Sequence, residues 1–229
     1  MPPNEPHAAF TEQKAVAAYA DGPARIVPGW SDMLRMSDVL LGERIACGAS
    51  VLVVGAGGGL ELKRFAESYP DWRFVGVDPS REMLTLARTT LGDLGSRVEL
   101  HEGYIDTAPE GPFDAATCLL TLHFVPADQR LRTLQEIRRR LVPGAPFVVA
   151  HLSFPQEQDA RERWLGRYAA FVATSGVDVE KARAGAKAIE SKLTILSPTQ
   201  EESLMREAGF SDIELFYAGF AFRGWVSTA

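Results

Sequence analysis

The chain has 229 residues, 46% hydrophobic and 24% charged, with a net charge of −6 and two cysteines. That length suits one large α/β domain with a proper core, and no apolar run approaches the ~20 residues that cross a bilayer. The acidic balance works against a broad nucleic-acid surface, while Cys47 and Cys118 make neither a disulfide framework nor a metal pattern, so a reducing cytoplasmic setting, no metal and no membrane are expected.

Met1-Pro2-Pro3-Asn4-Glu5-Pro6 lacks the basic and apolar regions of a signal peptide, and residues 1–7 read as a loose tail. Phe10, Ala15, Val16, Ala18 and Tyr19 predict a short amphipathic helix that Asp21-Gly22-Pro23 ends. Arg25 to Trp30 reads as a turn. Ser31 then caps a helix running to about Cys47, with Met33, Leu34, Met36, Val39, Leu40 and Ile45 expected in the core. Residues 8–47 would thus form a helical lid ahead of the first core strand, within a single domain spanning 1–229.

Val51-Leu52-Val53-Val54 has the continuous apolar character of a strand buried on both faces, and four glycines follow within five positions, Gly55 to Gly59. Such a turn lets a ligand approach the backbone, and Leu60 to Ser68 continues as a helix. A dinucleotide fingerprint needs its third glycine at Leu60, so the spacing weakens a nicotinamide or flavin reading. Glycines at the first, third and fifth places are instead similar to motif I of the class I S-adenosylmethionine (SAM) dependent methyltransferases.

Trp72 to Val77 is the second strand. It ends at Asp78-Pro79-Ser80, where a carboxylate can accept from both hydroxyls of an adenosine ribose, with Ser80 as cap of the helix Arg81 to Leu91. Met83, in its first turn, suits either an adenine contact or the core. The strand Val98 to His101 leads into Gly103-Tyr104-Ile105-Asp106. The strand Ala115 to Leu120 is followed by Thr121-Leu122-His123-Phe124, then by a helix Ala127 to Leu141 whose Arg138-Arg139-Arg140 reads as a solvated face. Pro146 to Leu152 is the fifth strand. Residues 155–192 form a helical insertion in two pieces broken near Gly176. Ser197-Pro198 opens a last helix, and Ile213 to Tyr217 with Phe220 to Ser227 reads as an antiparallel hairpin around Ala218-Gly219. The expected fold is α/β: a Rossmann-like seven-stranded sheet, five strands parallel, closed by a C-terminal antiparallel hairpin.

Several segments resemble the carboxy-S-adenosylmethionine synthases, a group linked with the tRNA uridine-5-oxyacetic acid methyltransferases: Arg25-Ile26-Val27-Pro28-Gly29-Trp30, Leu120-Thr121-Leu122-His123-Phe124, Val142-Pro143-Gly144, and Ala208-Gly209-Phe210 before Glu214-Leu215-Phe216-Tyr217. The resemblance implies a SAM cofactor and an Arg25–Trp30 entry to a helix packed over the cofactor; methyl transfer would leave S-adenosylhomocysteine as product. The family's acidic residue two before the first glycine is Val53 here, its asparagine after strand four is Leu119, and its adenine-side aspartate is Tyr104, which leaves Asp106 as a substitute. The arginine that holds the extra carboxylate in those synthases has no counterpart in Lys187-Ala188-Ile189-Glu190-Ser191-Lys192.

The expected cofactor contacts are therefore Gly55, Ala56, Gly57, Gly59, Asp78, Pro79, Met83, Tyr104, Ile105, Asp106, Leu119, Arg25 and Trp30. His123 and His151, both at carboxyl ends of strands, are the candidates for proton transfer, with a packing role as the alternative for each. Tyr19, Arg25, Trp30, Trp164 and Tyr168 are candidate acceptor contacts. Three functions follow as expectations: methyl transfer to a small molecule, modification of the cofactor itself, or SAM binding without catalysis. A homodimer is compatible with each.

Overall fold

The computed structural model describes residues 22–229. The helix expected over Phe10 to Tyr19, Tyr19 itself and the first part of the lid lie outside the described residues.

Where a turn was expected, Gly22–Ile26 forms a short helix, α1. The next helix, α2, spans Trp30–Gly42 and is entered through Gly29 in a left-handed conformation, φ 64°, rather than capped by Ser31. It stops short of Cys47 and buries Met33, Leu34 and Leu41, whereas Met36 and Val39 are 36% and 58% exposed. Those two belong to a groove of about 670 Å³ with Asp38, Arg64, Tyr69 and Phe216, away from the glycine loop.

The core strands are β1 (Ser50–Val54), β2 (Arg73–Asp78), β3 (Val98–Glu102), β4 (Ala115–Leu119) and β5 (Pro146–Leu152), followed by β6 (Ser211–Gly219) and β7 (Phe222–Thr228). They form one sheet in the order β3-β2-β1-β4-β5-β7-β6. The first five run parallel; β7 is antiparallel to β5 and β6 antiparallel to β7. The hairpin turns at Phe220-Ala221, since Gly219 still pairs with Phe222. Strands β4 and β5 are buried at every position, which explains their near-continuous apolar sequence.

Helices cover both faces, and residues of β1 alternate between two cores. Val51 and Val53 pack with Met33, Leu62 and Phe65, from α2 and from α3 (Leu60–Ser68). Leu52 and Val54 pack with Leu134 and Ile137 of α5 (Ala127–Arg138), Met205 of α8 (Pro198–Glu207), and Trp225. Helix α4 spans Arg81–Leu91, and Ser80 caps it by accepting from the Met83 N–H. Residues 155–192 hold a helical pair, α6 (Gln158–Thr174) and α7 (Val179–Lys192). The cap of α8 is a reciprocal Ser197/Gln200 box with Pro198 in the first turn.

The arginine run after α5 is only partly a solvated face. Arg140 is fully buried and donates to the carbonyls of Ala108, Pro109 and Glu136.

Candidate functional site

Strand order reverses between β1 and β4, and in open α/β sheets that switch point opens a crevice at the carboxyl ends of the strands. The loop Gly55–Gly59 lies there. Gly55 and Ala56 N–H both donate to Val77 O, at 2.8 and 3.0 Å, which bends the chain over β2. Gly59, φ 82°, opens α3, and a Cβ on it would stand 2.9 Å from Ala87 Cα. A Cβ on Gly55 would run into Thr121, so the glycine loop and the segment leaving β4 are in direct contact. Leu120 in that segment holds a left-handed φ of 55°, uncommon for a leucine, while its N–H donates to Ala150 O and the Thr121 hydroxyl donates to Leu119 O.

Asp78 ends β2. One carboxylate oxygen accepts from Gly57 N–H and the other from Ser80 N–H, each at 2.9 Å. A carboxylate has about four acceptor directions, so these bonds orient the group and tie it to the loop. Asp78 and Pro79 are half-buried, Met83 is buried in α4, and Ile105 is buried in the short turn Ile105–Thr107. Tyr104 is 56% exposed, Asp106 is exposed and Leu119 is buried. These positions and the loop share the carboxyl edge of the parallel strands. On the lid side Trp30 packs against the core and Arg25 is exposed, and Tyr217 of β6 donates its hydroxyl to Pro28 O, anchoring the Pro28-Gly29 turn.

Both histidines lie under this edge rather than in its open part. His123 is 5% exposed and its Nδ1 accepts from Leu152 N–H at 3.3 Å, which places the proton on Nε2. Burial, then the neighbouring His151 and Arg130, hold its pKa well below the ordinary 6.5. His151 is 1% exposed, with Nε2 3.0 Å from Glu201 Oε1 but off the line of a hydrogen bond, and its Nδ1 has no hydrogen-bond partner among the described residues. Glu201 also meets the buried Arg130 at 2.5 Å. Burial would raise its pKa, but His151 and Arg130 outweigh that and keep it below the usual value. Trp164, on α6, stacks under the guanidinium groups of Arg167 and Arg223, and Tyr168 is buried near Phe222.

Two features escaped sequence reasoning. Glu61, in the first turn of α3, is 5% exposed and accepts from the Thr117 hydroxyl in the middle of β4. Burial raises its pKa to about 8, so its carboxyl carries a proton at neutral pH. The helical spacing of Glu61 with Phe65 was the available signal. The Arg130–Glu201 pair, separated by 71 residues, had none. Among the described residues no group of histidine, cysteine and acidic side chains could hold a metal ion.

A family profile described as "Methyltransferase domain" matches residues 51–144, the segment from β1 to the turn before β5. Over 94% of its length the chain is 27% identical to the carboxy-S-adenosyl-L-methionine synthase of Chromohalobacter salexigens, covering 82% of that protein. It is 24% identical to the synthase of Wolinella succinogenes, covering 94% of this chain and 91% of that one. Among solved structures, a putative O-methyltransferase from Nostoc punctiforme superposes with a TM-score of 0.66 at 19% identity, over 95% of this chain and 61% of its own. The structure of PigF with SAH gives 0.67 at 17% identity, over 97% and 62%. The chain thus spans about three fifths of the length of these solved structures, and the likeness is one of fold.

Proposed function

We propose, from a chain whose residues 51–144 match a methyltransferase-domain profile, that the protein belongs with the class I SAM-dependent enzymes and transfers the methyl group of SAM to a small-molecule acceptor. The observation that carries this reading is the coupling of the left-handed glycine loop to Asp78 through Gly57 N–H, at the switch point of the sheet. The residues fit such a cofactor. Gly55, Ala56, Gly57 and Gly59 offer backbone to its amino-acid part. Asp78 is aligned for ribose hydroxyls, with Pro79, Met83, Tyr104, Ile105 and Asp106 on the adenine side. Leu119, Arg25 and Trp30 complete the lining.

A sulfonium methyl is already activated, so the chain's part is to align the acceptor, exclude water and hold charge rather than to supply a nucleophile. We assign His123 and His151 to holding the floor of the site. Nδ1 of His123 is engaged with Leu152 and its Nε2 bears a proton, so neither nitrogen offers a lone pair to an acceptor.

Similarity to carboxy-SAM synthases over nearly the whole chain favours a second reading, in which the cofactor itself is modified. The stretch Lys187 to Lys192 works against it, because lysine lacks the planar fork with which arginine grips a carboxylate.

Calorimetric titration with SAM, S-adenosylhomocysteine and NAD tests the proposal: micromolar binding of the first two is expected, and NAD binding without a SAM response would overturn it. Mass spectrometry of the cofactor after incubation with prephenate separates the two reactions. A carboxylated product would favour the second.

A further inference from the structure

We propose that Arg130 is a positioning residue, a buried guanidinium that sets the segment leaving β4 against the glycine loop and fastens the helical pair α6–α7 to it. The inference rests on the reading that SAM occupies the Gly55–Gly59 loop. Arg130 projects from α5 and is fully buried. Its Nη2 donates to three backbone carbonyls, Leu122 at 2.8 Å, Val125 at 3.1 Å and Thr194 at 2.7 Å, while Nη1 donates to Glu201 at 2.5 Å. Leu122 and Val125 belong to the segment leaving β4; Thr194 lies just after α7, where the chain comes out of the helical pair. Thr194 N–H in turn donates to His123 O at 3.1 Å. Glu201 stands on α8 and touches His151 at the end of β5.

One side chain therefore joins α5, α8 and two loops, and through Glu201 reaches the end of β5. What it holds matters for ligand binding because Thr121, adjacent to Leu122, is the side chain a Cβ on Gly55 would strike. A shift of this segment is transmitted directly to the turn beneath the cofactor. Stability alone does not account for the arrangement. Buried ion pairs are commonly no better than well-packed apolar groups of similar volume, whereas a guanidinium bonded to carbonyls from distant segments specifies their relative position.

The test compares melting temperature with SAM affinity by calorimetry in three proteins: wild type, Arg130→Met/Glu201→Leu and Arg130→Lys. The double variant removes both charges but also the donor of three carbonyls, so it is expected to stay folded with a melting temperature lowered by several degrees. Its SAM Kd is expected to rise at least ~10-fold, with faster amide exchange over residues 120–126 and 193–197. Arg130→Lys keeps the charge opposite Glu201, but a single ammonium nitrogen cannot reproduce the two positions from which the guanidinium reaches Glu201 and the three carbonyls, so it too should fold and bind SAM more weakly. It carries the test if the double variant does not fold. Wild-type SAM affinity in a folded variant would overturn the positioning role while leaving the cofactor reading intact. Failure of the wild type to bind SAM would remove both.

Discussion

Replacing Glu61 with glutamine tests how the core beneath the glycine loop is held. Among the described residues the carboxyl accepts from the Thr117 hydroxyl, and burial raises its pKa from about 4.5 to about 8 against the opposing effect of that hydrogen bond. A folded-state pKa above the unfolded one means that the native protein binds this proton more tightly. The stability it contributes is complete below pH 4.5 and is lost as the pH rises toward 8. At ~1.36 kcal/mol per unit, the interval from pH 4.5 to pH 7 costs about 3 kcal/mol. Glutamine does not titrate and can still accept from Thr117. Urea unfolding of both proteins at pH 5, 6, 7 and 8 should show the stability of Glu61→Gln rising relative to wild type by about 1 kcal/mol per unit. His123 pulls the other way below pH 6.5 in both proteins, so the difference isolates Glu61. A difference constant to within ~0.5 kcal/mol over this range would refute the reasoning, since the carboxyl would then titrate alike in both states.

Asp78→Ala should weaken SAM binding at least ~100-fold by calorimetry, because the ribose loses an acceptor for two hydroxyls, at ~1.5 to 3 kcal/mol per charge-assisted bond, and the loop its charged anchor at Gly57; unchanged affinity would place the ribose elsewhere. Gly59→Ala meets both a left-handed backbone and Ala87 Cα at 2.9 Å, whereas Gly144→Ala, at φ 84°, meets nothing within 4 Å. The first should cost clearly more than the ~1 to 2 kcal/mol of the second in urea melts, and equal losses would mean that α4 yields to the new methyl group. His123→Gln removes a buried group that refuses the proton the unfolded chain takes below pH 6.5. Wild type should therefore lose stability faster than the variant as the pH falls from 6.5 to 5, by at most ~1.4 kcal/mol per unit, and parallel melting curves would count against a neutral buried ring.

Much of the architecture was already determined by the sequence itself. Leu60–Ser68, Arg81–Leu91 and Pro146–Leu152 form where apolar periodicity, the Ser80 cap and the Pro143-Gly144 break predict them, because those signals act within a few residues. The glycine spacing and Asp78 likewise marked the tight turns at the carboxyl ends of β1 and β2, since both follow from a strand turning into a helix at close range. What only the tertiary structure decided depends on which surfaces meet. Met36 and Val39 share the helical pattern of buried residues yet face a groove, and Arg140 reads as solvated yet is buried beneath Ala108 and Pro109. Glu61 keeps its proton through burial and meets Thr117 from 56 residues away, and Arg130 finds Glu201 across 71. Such pairings have no local signature, because they arise when the folded sheet brings helices and strands far apart in sequence into contact.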